Sequence, residues 1–249
     1  MRALILAAGR DSRIDVTGKQ LPECLVPLAG KPLIHRQIAA LKAGGVADIG
    51  VVRGYRAELI DVPGVTVFTN ERWAETGSVA SLMVAADWLR SGPVVVSDGN
   101  IFYRHELVHA LGSVRGAFVI AHDRQWRDLW TRRFADPLAH AKGFRRSPSG
   151  VVQAIGGQPA SLDEVQGQYM GLLKFTPGAW HSVETLLGGL DAPSRDRLDM
   201  IGLLQRVLAA NTLSIGTVGY DGQWGEMTAP GDIALYERMA AEGELALEG

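Results

Sequence analysis

Short, continuous apolar runs recur along the chain at intervals that leave room for a helix between them. Runs of this length, bounded by turn residues, are typical of strands buried on both faces of a parallel sheet. The predicted strands are Ala3–Leu6, Ile49–Val52, Val65–Phe68, Pro93–Gly99 and Phe118–Asp123, followed by Val151–Ile155, Tyr169–Phe175 and Leu213–Val218.

Segments of helical periodicity separate these runs. In the first of them, Leu33, Ile34, Ile38 and Leu41 form an apolar stripe that Pro32 precedes and that ends at a glycine pair. Further helices are predicted at Ser78–Leu89, 177–188, 196–209 and Pro230–Ala241, with a loop and irregular helix over 124–149. The alternation predicts an α/β fold with a mostly parallel sheet covered by helices on both faces.

The second half of the chain departs from strict alternation. We expect Val151–Ile155 and Tyr169–Phe175 to belong to a smaller mixed β sub-sheet. The sequence shows no repeat, low-complexity tract or flexible linker, so we expect residues 1–249 to form a single domain.

Composition narrows the function classes. The 249 residues carry a formal net charge of −2, which gives no electrostatic footprint for nucleic acid or an anionic membrane. The single cysteine, Cys24, rules out an internal disulfide and a cysteine-based zinc site. No signal peptide or long apolar span is evident, so we expect a cytoplasmic protein. No sequence feature supports an oligomer.

Candidate chemistry lies where predicted strands end. The first strand runs into Leu6-Ala7-Ala8-Gly9 and on to Arg13, a small-residue turn whose backbone can approach a phosphate closely. It lacks the spacing of a dinucleotide-binding or P-loop motif, so a purely structural turn remains an alternative. Asp98 ends a core strand, and a carboxylate beside a phosphate site suits Mg²⁺; an Asx turn or helix cap is the alternative.

Other candidates are less specific. Asp123 ends another strand, and Trp126 with Trp130 can form a partly exposed ligand wall or ordinary core. Glu226 lies in a glycine-rich turn before the last helix, where a solvated role is the alternative to metal binding. Asp232 is best explained as a residue that complements the helix dipole.

Several motifs, in order, resemble the small nucleotidyltransferases, and above all the cytidylyltransferases for phosphocholine and 2-aminoethylphosphonate. The segment 6–13 resembles their L-A-A-G-x-G-x-R signature, and 22–33 resembles P-K-C-L-V-P-L-x-G-K-P-L. Thr69-Asn70 with 76–82, Ser97–Asn100, 167–172 and Trp224-Gly225-Glu226 follow in the family's order. The likeness covers most of the chain.

The resemblance implies a Rossmann-like doubly wound sheet of the nucleotide-diphospho-sugar transferase type. It also implies CTP as nucleotide substrate, Mg²⁺ as cofactor and a small phosphate or phosphonate as acceptor, with release of pyrophosphate. Carried over, Leu6, Ala7, Ala8, Gly9 and Ser78 bind the nucleotide, Arg13 holds phosphate, and Asp98 binds the metal. Glu226 can replace the metal-binding aspartate that the family has at position 228. Arg13, Glu23 and Lys31 occupy catalytic positions. Asp123, Trp126, Gln168 and Tyr169 are assigned to the acceptor.

The departures from the family pattern keep alternatives open. Asp11 replaces the second glycine of the turn, Glu23 replaces a lysine, and Thr228 stands where the family has a metal-binding aspartate. Lys19 or Lys31 can supply the missing positive charge. The alternatives to an active enzyme are a catalytically degenerate relative that binds a nucleotide or a partner, and a cleft repurposed for different chemistry.

Overall fold

The computed structural model describes residues 1–10 and 20–247. Its strands are β1 (Arg2–Ala7), β2 (Pro27–Leu28), β3 (Lys31–Pro32), β4 (Asp48–Arg53), β5 (Thr66–Thr69), β6 (Val94–Asp98), β7 (Ile101–Tyr103), β8 (Phe118–Asp123), β9 (Phe144–Arg146), β10 (Val152–Ile155), β11 (Gln168–Phe175), β12 (Ile215–Tyr220) and β13 (Trp224–Glu226). Its helices are α1 (Leu33–Ala43), α2 (Ser78–Val84), α3 (Ala86–Ser91), α4 (His105–Ser113), α5 (Trp126–Arg133), α6 (Pro137–His140), α7 (Pro177–Gly188), α8 (Ala192–Asp196), α9 (Met200–Ala210) and α10 (Asp232–Ala241).

Within the described part of the chain, seven strands form the central sheet in the order β12-β8-β11-β6-β1-β4-β5. Every neighbouring pair is parallel except the two that β11 makes, which are antiparallel. The predicted α/β class with a mostly parallel sheet is therefore confirmed. Because β1 and β6 are parallel and Leu6 pairs with Asp98, the end of β1 lies beside the end of β6.

One strand prediction is wrong. The strand expected over Tyr169–Phe175 belongs to the middle of the central sheet, between β8 and β6, and not to a smaller sheet. Seven of its eight residues are buried, as a strand with neighbours on both sides and helices on both faces requires. The smaller sheet that does form is the antiparallel pair of β9 and β10.

The antiparallel direction of β11 decides where the irregular segment goes. Gln168, the first residue of β11, pairs with Asp123, the last residue of β8. The intervening residues 124–167 therefore leave and return at the same edge of the sheet, where the parallel strands end. This segment builds α5, α6, β9 and β10 over that edge.

The helix predicted over Ser78–Leu89 is two helices, α2 and α3, which meet at Ala85. Ala85 has φ −102° and ψ 23°, outside helical values, and alanine is the strongest helix former, so propensity does not mark the break. In the described ranges, no helix combines the length and the apolar character that a membrane crossing needs.

Candidate active site

A cleft of about 540 Å³ opens at the edge of the sheet where the parallel strands end. It is lined by the first turn, by the ends of β6 and β13, by the start of β11, and by parts of α2, α5, α6 and α9. Ligands of open α/β sheets bind at this edge. The predicted site residues in its wall are Leu6, Ala7, Ala8, Gly9, Glu23, Ser78, Asp98, Gln168, Tyr169 and Glu226.

The turn that follows β1 is packed so closely that its backbone faces the cleft. A Cβ atom on Gly99 would lie 2.6 Å from the Leu6 carbonyl oxygen, and one on Gly54 would lie 2.8 Å from that of Ala8. The backbone N–H of Tyr55 donates to the Ala8 carbonyl at 2.9 Å. Glycines directly after β4 and β6, the two strands that flank β1, thus allow the close approach. Asp11, Arg13 and Lys19 lie outside the described residues.

Asp98 supplies the first carboxylate of the cleft, at the end of β6. Gln37 Nε2 donates to its backbone carbonyl at 2.6 Å, but no described residue donates to its carboxylate. Gly171, at φ +71°, passes so close that a Cβ there would lie 2.7 Å from Asp98 Oδ2. Burial, and then the charges of Glu226 and Asp199, raise the pKa of Asp98 to about 7. A cation at this carboxylate would relieve that unfavourable charge.

Glu226, in β13, supplies the second carboxylate. Its Oε1 accepts from Arg133 Nη1 at 2.8 Å, and Thr228 Oγ1 accepts from Arg133 Nη2 at 2.9 Å. The Arg133 side chain has no exposed surface, and Asp232 binds it from the other side. The Asp232 carboxylate also accepts the backbone N–H groups of Thr228 and Ala229, so its role is to organise this loop.

Ser78 enters the cleft at the start of α2, in a loop with fixed geometry. The backbone N–H of the preceding Gly77 donates to the Asp196 carbonyl at 2.6 Å, and a Cβ on Gly77 would collide with the Leu198 carbonyl oxygen. Asn70 Nδ2, which is buried, donates to Thr76 Oγ1 and to Ser81 Oγ, both at 3.0 Å. The hydroxyl and backbone groups of this loop therefore form a preorganised polar wall.

Comparison with known proteins identifies the family. Residues 3–160 match the family described as the MobA-like NTP transferase domain. The chain belongs to that family.

Two curated relatives and one solved structure illustrate the likeness. The chain is 28% identical to CTP:phosphoglutamine cytidylyltransferase of Campylobacter jejuni, over 94% of this chain and 98% of that protein. It is 32% identical to choline-phosphate cytidylyltransferase of Streptococcus pneumoniae, over 44% of this chain and 51% of that protein. The inositol-1-phosphate CTP transferase from T. maritima superposes with a TM-score of 0.72 at 17% identity, over 98% and 97% of the two chains, which confirms the predicted fold.

The MobA-like NTP transferase cleft contains a donor set that suits Mg²⁺. This ion takes one or two carboxylates and completes its shell with phosphate oxygens and water. Asp98 has a half-buried carboxylate to which no described residue donates, and Glu226 has one such oxygen, so the pair fits that requirement. In the described ranges, no group of three or more His, Cys, Asp or Glu side chains forms a complete protein-only metal site.

The start of β11 and the segment 124–167 form the other wall of the cleft. Gln168 holds Lys142 by two hydrogen bonds, because its Oε1 accepts from the Lys142 N–H at 3.2 Å and its Nε2 donates to the Lys142 carbonyl at 2.8 Å. Tyr169 lies close enough to Asp98 for that charge, after burial, to raise the pKa of Tyr169. Phe134 stacks on His140, with ring centroids 3.9 Å apart.

Three predicted site residues lie outside the cleft lining, which corrects the expectation for them. Asp123 lines a separate cavity of about 360 Å³ and is bound by the indole Nε1 of Trp224 at 2.8 Å. Trp126 is core, only 3% exposed, and donates to the Val165 carbonyl. Lys31 lies on the small β2–β3 hairpin. A strand end predicts the edge of the sheet but not the direction in which a side chain points from it.

The cleft also contains residues that sequence patterns did not assign to it. Examples are Trp73, Phe134, His140, Lys142 and Asp199. Trp130, which we expected with Trp126 in either a ligand wall or the core, also lines the cleft. Phe134, His140 and Lys142 come from the irregular segment, where periodicity gives no indication of a site. Trp73 lies in the turn after β5, and Asp199 is a helix cap.

His122 and Asp123, both buried at the end of β8, generate a prediction about stability. Burial lowers the pKa of His122 from 6.5 to about 4 and raises that of Asp123 from 3.8 to about 6. The unfolded chain binds the His122 proton more readily, so this residue makes stability fall as pH drops from about 6.5 to 4. The folded chain binds the Asp123 proton more readily, so Asp123 makes stability fall as pH rises from about 4 to 6.

The two contributions oppose each other, and each amounts to about 3 kcal/mol or less. Relative to the unsubstituted protein, we therefore expect His122→Gln to lose stability as pH rises from 4.5 to 6.5, and Asp123→Asn to lose it as pH falls. Urea unfolding at several pH values measures both slopes. Equal slopes in all three proteins would contradict the opposed roles of His122 and Asp123.

Proposed function

We propose that the protein is a magnesium-dependent cytidylyltransferase that transfers CMP from CTP to a small phosphate or phosphonate acceptor and releases pyrophosphate. The observation that carries the proposal is the juxtaposition of the tightly packed Leu6–Gly9 turn with the Asp98 and Glu226 carboxylates in one cleft. Family membership supplies the nucleotidyltransferase class, and the relatives named for CTP support that nucleotide. Because nucleoside triphosphates are cytoplasmic, the proposal implies a cytoplasmic protein.

The reaction needs positioning and charge neutralisation more than covalent chemistry. An acceptor oxygen attacks the α-phosphorus of CTP, a new P–O bond forms, and the bond to the bridging oxygen breaks, so that pyrophosphate leaves with the electron pair. In this proposal the backbone of Leu6–Gly9 holds the triphosphate and Ser78 contacts the base or ribose. Arg13 holds phosphate. Asp98 and Glu226 hold Mg²⁺, which supplies Lewis-acid stabilisation of the phosphate charge.

The wall formed by 124–167 and the start of β11 is proposed to bind the acceptor. Gln168 and Tyr169 belong to it, together with Lys142, whose ammonium group has no described hydrogen-bonding or ionic partner. Gln168 occupies the position at which the cytidylyltransferases that the sequence resembles have a glutamate. This replacement disfavours a choline-like or amine-like acceptor, since such cations prefer carboxylates or aromatic cages.

One observation favours a second candidate function, nucleotide binding without turnover. Glu23 Oε1 is the atom nearest to a Cβ built on Gly9, at 3.9 Å, so a carboxylate faces the turn that would hold the triphosphate. Thr228 offers no carboxylate to a cation, and its hydroxyl is already occupied by Arg133.

A two-stage experiment separates the candidates. Thermal shift with each of the four nucleoside triphosphates and Mg²⁺ is expected to show selective stabilisation by CTP. Pyrophosphate release is then measured with phosphocholine, 2-aminoethylphosphonate, inositol 1-phosphate and a phosphorylated amide. Stabilisation without release would favour the second candidate, and no stabilisation by any nucleotide would refute both.

Because Gly171 lies so close to Asp98, a pair of matched glycine variants can test the role of Asp98 in metal binding. Gly171→Ala would push a Cβ against the Asp98 carboxylate, whereas Gly64, at φ +77°, has no described atom within 4 Å of the same position. Both changes cost about 1 kcal/mol of stability or more, because a side chain is strained at these angles. Only Gly171→Ala is expected to weaken Mg²⁺-dependent CTP binding, measured by calorimetry. Equal CTP affinity of the two variants in the presence of Mg²⁺ would contradict the role of Asp98 as a metal ligand.

Removal of the Glu23 charge is expected to strengthen CTP binding. Two unit charges 4 Å apart repel by about 1 kcal/mol in a water-like dielectric. Glu23→Gln should therefore lower the half-saturating CTP concentration by about fivefold. Glu58→Gln, an exposed carboxylate paired with Arg56, is the control and should change nothing. Weaker CTP binding by Glu23→Gln would show that Glu23 contacts a cationic group of the bound complex.

A further inference from the structure

Arg133 is a buried cation in contact with the cleft wall. It is the last residue of α5, and none of its side-chain surface is exposed. Its guanidinium donates from Nε and Nη2 to both oxygens of Asp232, each at 2.9 Å. It also donates from Nη1 to Glu226 Oε1 at 2.8 Å and from Nη2 to Thr228 Oγ1 at 2.9 Å.

The planar faces of the Arg133 guanidinium also have partners, in addition to the hydrogen bonds made by its N–H groups. Cζ lies 4.9 Å from the ring centroid of Trp130 and 4.7 Å from that of Phe134, distances at which a cation interacts with the π-face of an aromatic ring. Burial alone would lower the pKa of Arg133, but the hydrogen bonds of Asp232 and the charges around it raise that pKa above the ordinary value. The group is therefore a permanent positive charge held in one orientation.

The two carboxylates that pair with Arg133 have different surroundings. Asp232 is 1% exposed and is also held by two backbone N–H groups, so it serves the loop before α10. Glu226 lines the cleft, and its charge is felt at Asp98. Because Arg133 engages Oε1, the other oxygen of Glu226 is left without a protein donor among the described residues.

We propose that Arg133 is a positioning residue that orients Glu226, so that its second oxygen joins Asp98 in binding the divalent cation of the reaction. This inference rests on the proposed function. The two hydrogen bonds to Asp232 fix the Arg133 guanidinium in one orientation. The hydrogen bond from Nη1 then fixes the orientation of the Glu226 carboxylate. Partners of this kind, which hold a metal ligand from behind, typically change metal affinity by about 10- to 100-fold when they are removed.

The test compares Arg133→Lys and Arg133→Met with Arg132→Met. Arg132 is the adjacent residue of α5, exposed and paired with Glu244, so the control makes the same charge change outside the cleft. Two quantities are measured: the half-saturating Mg²⁺ concentration for pyrophosphate release, and the dissociation constant of Mn²⁺, by electron paramagnetic resonance, with and without CTP.

We expect both Arg133 variants to raise both constants by about tenfold or more. Arg132→Met should leave them unchanged. The conservative lysine variant keeps the positive charge, so it carries the test if the buried, unpaired Asp232 carboxylate prevents Arg133→Met from folding.

A double-mutant cycle distinguishes positioning from general stabilisation. If Arg133 acts through Glu226, Arg133→Lys has no further effect on Mn²⁺ affinity in a Glu226→Gln background. Additive losses would overturn the proposal, as would an unchanged half-saturating Mg²⁺ concentration with only a lower kcat or Tm.

The proposed function and this inference can fail separately. If the unsubstituted protein releases no pyrophosphate with any acceptor, turnover is refuted while the Mn²⁺ titration still tests Arg133. If it binds no Mn²⁺ with or without CTP, the positioning role is refuted as well.

Discussion

The site depends on one close contact between neighbouring parallel strands. Leu6 of β1 pairs with Asp98 of β6, and the next residue, Gly99, lies so close to the Leu6 carbonyl that no side chain fits between them. This contact brings the backbone of a small-residue turn and the half-buried Asp98 carboxylate to the same point. A phosphate and the cation that neutralises it are recognised by these two chemistries.

The cleft brings three carboxylates together, and other residues must hold each of them in place. Carboxylates of Asp98, Glu226 and Asp199 lie close enough for the last two to raise the pKa of the first. Such a group is stable only if its members are fixed by other contacts or neutralised by a cation. Gln37 holds the backbone of Asp98, the α9 cap holds Asp199, which accepts the N–H of Gly202, and Arg133 holds Glu226.

The segment between β8 and β11 contributes aromatic and basic side chains to the cleft at the end of the central sheet. It leaves and returns at the edge of the cleft because β11 is antiparallel to its neighbours. It supplies Trp130, Phe134, His140 and Lys142 to the wall opposite the first turn. Connecting segments of this kind tolerate change without altering the fold, and they carry many binding residues in α/β proteins.

The sequence by itself determined the strands β1, β6 and β8, the class of the fold and the family, because continuous apolar runs and ordered motifs are local properties of the chain. It also located Leu6–Gly9, Ser78, Asp98 and Glu226, which lie directly at element ends. Only the tertiary structure decided that β11 is central, that Asp123 and Trp126 point away from the cleft, and that Arg133 is buried behind Glu226. These facts depend on which strands pair and which side chains meet across distant segments. Such long-range contacts leave no periodic signal in the sequence.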